Sequence, residues 1–115
     1  MTAQYQLQPG VVKKLFDAVA PTAALNSAEF ALPYSYAAAG RRIRWAYGFT
    51  ANPSALAIKL QGTMNPMDAA PTWFDLDSKT TVTGDTGEVL ANIEGIRARV
   101  ETITGGTALT LYIAI

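Results

Sequence analysis

From residue 43 to residue 49 every second position is large and apolar: Ile43, Trp45, Tyr47 and Phe49, with Arg42 and Arg44 on the alternate side. The alternation restarts at Leu56, Ile58 and Leu60, separated by Ala57, Lys59 and Gln61. A period of two sends successive side chains to opposite faces of a pleated strand, so both runs are predicted to be half-buried β-strands. The rest of the chain is expected to pack around the stretch 41–77. If residues 51–54 form a four-residue loop, an antiparallel hairpin brings Phe49 opposite Leu56, Tyr47 opposite Ile58 and Trp45 opposite Leu60. Asn52-Pro53 marks a turn, and a crossing to a second sheet fits it as well.

Elsewhere the same pattern is shorter. Residues 11–20 (VVKKLFDAVA) fit neither period cleanly: Val11, Val12, Leu15, Phe16 and Val19 have helical spacing, while the β context and Pro21 argue for a strand. Residues 27–32 read as a short strand ended by Pro33. In residues 72–77, Phe74 and Leu76 are expected inward, with Trp73, Asp75 and Asp77 on the other face. Residues 80–83 read as a short strand and 84–87 (GDTG) as a tight turn. The sharpest expectation is a terminal hairpin turning at Gly105-Gly106, with Thr102 facing Leu109, Val100 facing Leu111, Ala98 facing Ile113 and Ile96 facing Ile115. Arg99 would then lie beside Tyr112 on the outside, with Ile103 as a lone outward-facing dissenter. Seven to nine short strands joined by Gly, Pro and Asn turns predict an all-β, antiparallel sandwich, jelly-roll or Greek-key like. Residues 1–10 form an extended N-terminal arm and 11–115 a single β-sandwich domain.

Composition narrows the chemistry. Residues number 115, enough for one core and too few for two domains. No apolar run approaches the roughly 18 residues of a membrane span, and no secretory leader pattern opens the chain. Cysteine and histidine are both absent, which removes disulfides, thiolate chemistry, the commonest general base and the commonest metal ligand. Nine basic and nine acidic residues cancel, so no strong field points to nucleic acid. What remains is carboxylate chemistry, and no catalytic residue, metal ligand or cofactor is assigned.

Three clusters bear on binding. Asp75 and Asp77, with Asp68, Asp85 and Glu88 nearby, read as a solvated acidic edge, since the ligand spacing of a calcium loop is missing. Trp73, with Tyr34, Tyr36, Tyr47 and Tyr112 as companions, would make a sugar platform, but a protein interface or burial under the loop before it is the simpler reading. Arg42 and Arg44, with Arg41, sit apart from Arg97 and Arg99 on another strand's outer face. Separated charge of this kind suits head-to-tail contacts between subunits. The candidate interface is therefore Tyr5, Leu7, Arg42, Arg44, Trp73, Arg97, Arg99 and Tyr112.

The segments A-x-A-I-K-L-Q-G-T (55–63), T-W-F-D-L-D (72–77), I-R-A-R-V (96–100) and G-G-T-A-L-T-L-Y-I (105–113) carry a resemblance. It spans residues 41–115. The chain resembles small β-sandwich virion proteins of tailed bacteriophages, the capsid decoration and accessory structural proteins. Similar strands occur in carbohydrate-binding and discoidin-like sandwiches. The resemblance implies a non-enzymatic protein, made in the host cytoplasm, that attaches to the major capsid protein or other virion proteins at the capsid surface. It also implies a homo-oligomer, a trimer above other states, with a glycan or a tail or neck position as the alternatives. From the residues themselves, a C-terminal strand without a charge after Glu101 is expected to be central in a sheet or covered by a subunit.

Overall fold

The computed structural model describes residues 5–6, 12–32 and 41–114. Among them there is no helix, and the strands form two sheets packed face to face. In chain order they are β1 (Tyr5–Gln6), β2 (Val12–Val19), β3 (Leu25–Asn26), β4 (Phe30–Ala31), β5 (Arg41–Gly48), β6 (Ala51–Thr63), β7 (Phe74–Lys79), β8 (Asp85–Ala91), β9 (Gly95–Thr107) and β10 (Leu109–Ala114). One sheet runs β2-β10-β5-β8. The other runs β1-β4-β9-β6-β7, with β3 also paired to β9. Apart from the parallel β1–β4 contact, every pairing is antiparallel.

The pairings nest: β2 with β10, β3 and β4 with β9, β5 with β8, β6 with β7. This is one long hairpin with its tip at loop 64–73, rolled so that β5 also meets β10 and β6 also meets β9. Such a roll is a jelly-roll sandwich. The core lies between the sheets and is filled by Ile43, Trp45 and Tyr47 from β5, Leu56, Ile58 and Leu60 from β6, Ile96, Ala98 and Val100 from β9, and Leu109, Leu111 and Ile113 from β10. Each fully buried aliphatic among them contributes roughly 1.5–3 kcal/mol. β10 is central, between β2 and β5, as its uncharged sequence requires.

Of the two readings open for residues 43–60 the structure has the crossing, and the expected terminal hairpin is a crossing as well. β5 and β6 lie in different sheets, so Trp45 and Tyr47 share one core with Leu56, Ile58 and Leu60 from the opposite sheet rather than pairing along a ladder, with Phe49 packed against it. Pro53 makes no turn; it sits buried in β6 opposite Gly105, at a register shift. The terminal hairpin fails the same way. Gly105 and Gly106 have φ of 74° and 83°, but they continue β9 as an irregularity against Pro53, and β10 begins in the other sheet after Ala108. A Cβ at Gly106 would stand 3.0 Å from the Pro53 nitrogen and Cβ, so glycine serves the close approach there. The two crossings run side by side, tied by Thr50 N–H to the Thr107 carbonyl at 3.1 Å. Arg99 consequently lies nowhere near Tyr112; the two occupy opposite outer faces of the sandwich.

Bulges account for the positions where alternation failed. β6 pairs Ala57 with Thr102 but Ile58 with Val100, so Glu101 is the extra residue and the faces invert beyond it. Thr102 is therefore exposed, not core-facing, and Ile103 packs against the core rather than facing outward. In β2, shifts against β10 put Leu15 and Phe16 inside consecutively, which explains its resemblance to a helix. In β7 the shift skips Leu76, so Asp75 and Asp77 face opposite sides rather than sharing one. Phe74, expected inward, is 55% exposed on this edge strand. Residues 27–32 are not one strand: β3 and β4 flank Ser27, whose Oγ accepts the Ala98 N–H at 2.8 Å. Residues 80–83 are not a strand either, since β7 stops at Lys79 and Gly84 N–H closes a turn on the Thr81 carbonyl at 3.3 Å. Of the N-terminal arm, Tyr5–Gln6 pairs with Phe30–Ala31; Leu7 lies outside the described residues.

Candidate functional site

Because β6 and β9 alternate, their polar positions collect on the outer face of the six-stranded sheet. Register aligns them in rows. Arg97 pairs with Gln61 and Gln61 with Asp75, while Glu29, one residue before the Phe30–Ile96 pair, continues the row on β4's side. The second row holds Asn26, Arg99, Lys59 and Ser78. Arg97 Nε donates to Gln61 Oε1 at 2.8 Å, and Gln61 Nε2 donates to Asp75 Oδ1 at 2.8 Å. Lys59 Nζ donates to Asp75 Oδ2 at 2.9 Å and lies 3.5 Å from Glu101 Oε1. Arg99 Nε donates to Glu101 at 3.0 Å and its Nη1 to Asn26 Oδ1 at 2.8 Å. Donors and acceptors thus run unbroken from Arg97 to Asn26.

Trp73 borders this network, half-buried, with the Arg97 guanidinium 4.4 Å from its ring centre. A cation over the ring is a favourable contact, and it covers one face of the indole. The companions expected for an aromatic platform are elsewhere. Tyr47 is in the core, donating its hydroxyl to the Thr81 carbonyl at 2.7 Å, and Tyr112 is on the opposite sheet under Lys14 Nζ. Tyr34 and Tyr36 lie outside the described residues. Loop 64–73 folds back beside Trp73 and is organised by Asn65, which accepts from Thr63 Oγ1 and the Thr72 N–H and donates to Asp68.

The second outer face is different. On the four-stranded sheet, Ala46 and Ala114 leave a shallow depression of about 600 Å³ bordered by Val12, Arg44, Glu88 and Tyr112. Arg42 Nε lies 3.5 Å from Glu88 Oε1, and Arg44 is exposed opposite Glu88. The candidate interface residues therefore divide: Trp73, Arg97 and Arg99 on one face of the sandwich, Arg42, Arg44 and Tyr112 on the other. The expected acidic edge is also dispersed, with Asp77 turned in to Trp45 and Asp85 held by Thr81 and Lys79.

Sequence reasoning missed Glu29. Its side chain is only 8% exposed, its Oε2 is 3.9 Å from Arg97 Nη1, and its Oε1 has no hydrogen-bond partner. The inward Phe30 implies an outward Glu29, but nothing local signals that an outward position on this sheet is covered.

Electrostatics gives the network a pH signature. Hydrogen bonds from Gln61 and then Lys59 hold the Asp75 carboxyl below its usual value, and the Arg99 hydrogen bond does so for Glu101. The Asp75 hydrogen bond raises Lys59, and burial raises the Tyr47 phenol. A depressed carboxyl stabilises the fold above its unfolded value, and that stabilisation is lost as pH falls through the folded value. A raised amine or phenol stabilises below its unfolded value, with loss as pH rises through the folded one. Thermal stability should therefore be flat between about pH 5 and about pH 9 and fall on both sides. Melting curves against pH check this, and Asp75→Asn should flatten the acid limb; an unchanged acid limb would count against the network.

No family model matches the chain, and no curated protein matches it. The similar solved structures include two that bear on the fold. The SPBc2 prophage-derived protein YomS aligns over 93% of this chain and 96% of its own, with a TM-score of 0.56 and 11% identity. A family 16 carbohydrate-binding module-2 aligns over 91% of this chain and 69% of its own, with a TM-score of 0.36 and 14% identity, too distant to carry an argument. What the first comparison establishes is a fold held in common, end to end, with a prophage-derived protein.

Proposed function

We propose that this chain is a non-enzymatic structural protein of a phage virion, and within that class a capsid decoration protein that binds the assembled head and stabilises it. The supporting observation is the full-length likeness of its jelly roll to a prophage-derived protein. Its geometry suits the role. A rolled sandwich with long β6 and β9 at its centre is a rigid slab, and its two broad outer faces carry polar and small side chains suited to extended contact. The partner in this reading is the major capsid protein, the location is the capsid surface, and the chain acts as a homo-oligomer, a trimer in the form the resemblance implies. Purified protein mixed with separated heads and tails should sediment with heads, and heads lacking it should break at lower temperature. Sedimentation with tails alone would move the protein to a tail or neck position. Association with neither would overturn the virion reading.

A further inference from the structure

Among the described residues each sheet ends in strands with no further strand paired beyond them, and natural sandwiches blunt such edges. Three of the four edges here are blunted. β1 has two residues, β7 carries the Leu76 bulge and Lys79, and β2 carries two register shifts against β10. β8 is not. Its register with β5 is unbroken from Arg41↔Ala91 to Tyr47↔Asp85, and it contains neither proline nor lysine. It also exposes Leu90 at 64%.

The opposite edge of the same sheet is its complement. Before its bulges β2 is regular, pairing Val12 with Ala114, Lys13 with Ile113 and Lys14 with Tyr112. Val12 is 61% exposed, and Lys14 is exposed on the same outer face. The sheet order β2-β10-β5-β8, antiparallel throughout, makes β8 run against β2. A second copy carried along the sheet therefore presents its β2 antiparallel to the first copy's β8, the direction a ladder needs. Setting Glu88 opposite the copy's Lys14 places Leu90 opposite its Val12 in the same register. Opposite charges then meet, the two exposed aliphatics cover each other, and both pairs lie on one face. The bulge at Leu15–Phe16 ends the ladder there and blocks a slide.

We infer that β8 of one copy adds to β2 of the next, with Glu88 on Lys14 and Leu90 on Val12, so that copies associate head to tail through a shared sheet. Heterologous contacts of this kind form rings when the rotation closes. The inference specifies the contact behind the homo-oligomer of the virion reading, and its test reads mass and cross-links rather than capsid attachment, so either can fail alone.

The chain has no cysteine, so engineered thiols report cleanly. A mixture of the single variants Val12→Cys and Leu90→Cys, oxidised and run without reductant, should give a disulfide-linked dimer, and the double variant should give higher multimers. Wild type should show a concentration-dependent mass above the 12.2 kDa of one chain. Glu88→Lys should weaken that association by about tenfold or more, and adding Lys14→Glu should restore it. Lys14 and Glu88 lie on opposite edges of their own sheet, so restoration can only act between copies. The inference is overturned if the mixture does not cross-link, if Leu90→Cys links to itself instead, or if the charge swap restores nothing.

Discussion

Trp45→Ala is expected to lower unfolding stability by about 3–5 kcal/mol, a large share of the roughly 5–15 kcal/mol that holds a domain of this size. Trp45 is 3% exposed, its ring lies 5.7 Å from that of Tyr47, and its Nε1 donates to Asp77 Oδ2 at 2.9 Å. That hydrogen bond runs from β5 to β7 and so joins the two sheets near their open side. Gly87, paired with Trp45, makes room for it: a Cβ there would stand 2.5 Å from both Asp77 Oδ2 and Trp45 Nε1. Truncation to alanine leaves a cavity and an acceptor without its donor together. Trp45→Phe keeps most of the volume and removes only the donor, at about 1–3 kcal/mol. Gly87→Ala should also destabilise, by displacing the pair. Urea denaturation of the three variants checks the order, and a Trp45→Ala loss under about 1 kcal/mol would remove Trp45 from the centre of the packing.

Arg97→Ala comes next, at about 3 kcal/mol, the lower end for breaking a buried ion pair because the gap to Glu29 is 3.9 Å. The same change removes the hydrogen bond to Gln61 and the cover over Trp73. Most of the loss is expected to come from stranding Glu29, whose Oε1 already has no partner. A double-mutant cycle separates these contributions. Glu29→Leu in the Arg97→Ala background should recover stability, since an apolar group of similar size carries no stranded charge there. If Glu29→Leu costs as much in that background as alone, the two side chains are uncoupled and this reading of the buried pair is wrong.

The long strands β5, β6, β9 and β10 were legible because burial on one face imposes a two-residue period, whereas the short segments 27–32, 80–83 and 84–87 were not, since β8 already begins at Asp85. Connections were not. The inward sets of β5 and β6, and of β9 and β10, meet across the core just as they would along a hairpin, so facing pairs cannot distinguish a turn from a crossing. Gly105-Gly106 shows the same ambiguity, because positive φ serves a bulge against Pro53 as readily as a tight turn. The bulges of β9 and β2 show in the sequence as exceptions, Ile103 facing the wrong way and Leu15 beside Phe16, whereas that of β7 leaves no mark because Asp75 and Asp77 alternate regularly around Leu76. The outer network was half legible. Alternation alone turns Arg97 and Arg99 outward, but their partners Asn26, Glu29 and Gln61 come from β3, the residue before β4 and β6, which only the rolled topology brings into rows.

The proposed virion role is tested most directly by electron cryomicroscopy of phage particles produced with this chain present. Two-sheet jelly-roll density, about 41 × 27 × 19 Å per copy, is expected on the outer surface of the head. Neighbouring copies should touch through the β8 and β2 edges. Heads with a bare surface, in particles from which this chain is absent, would contradict that role.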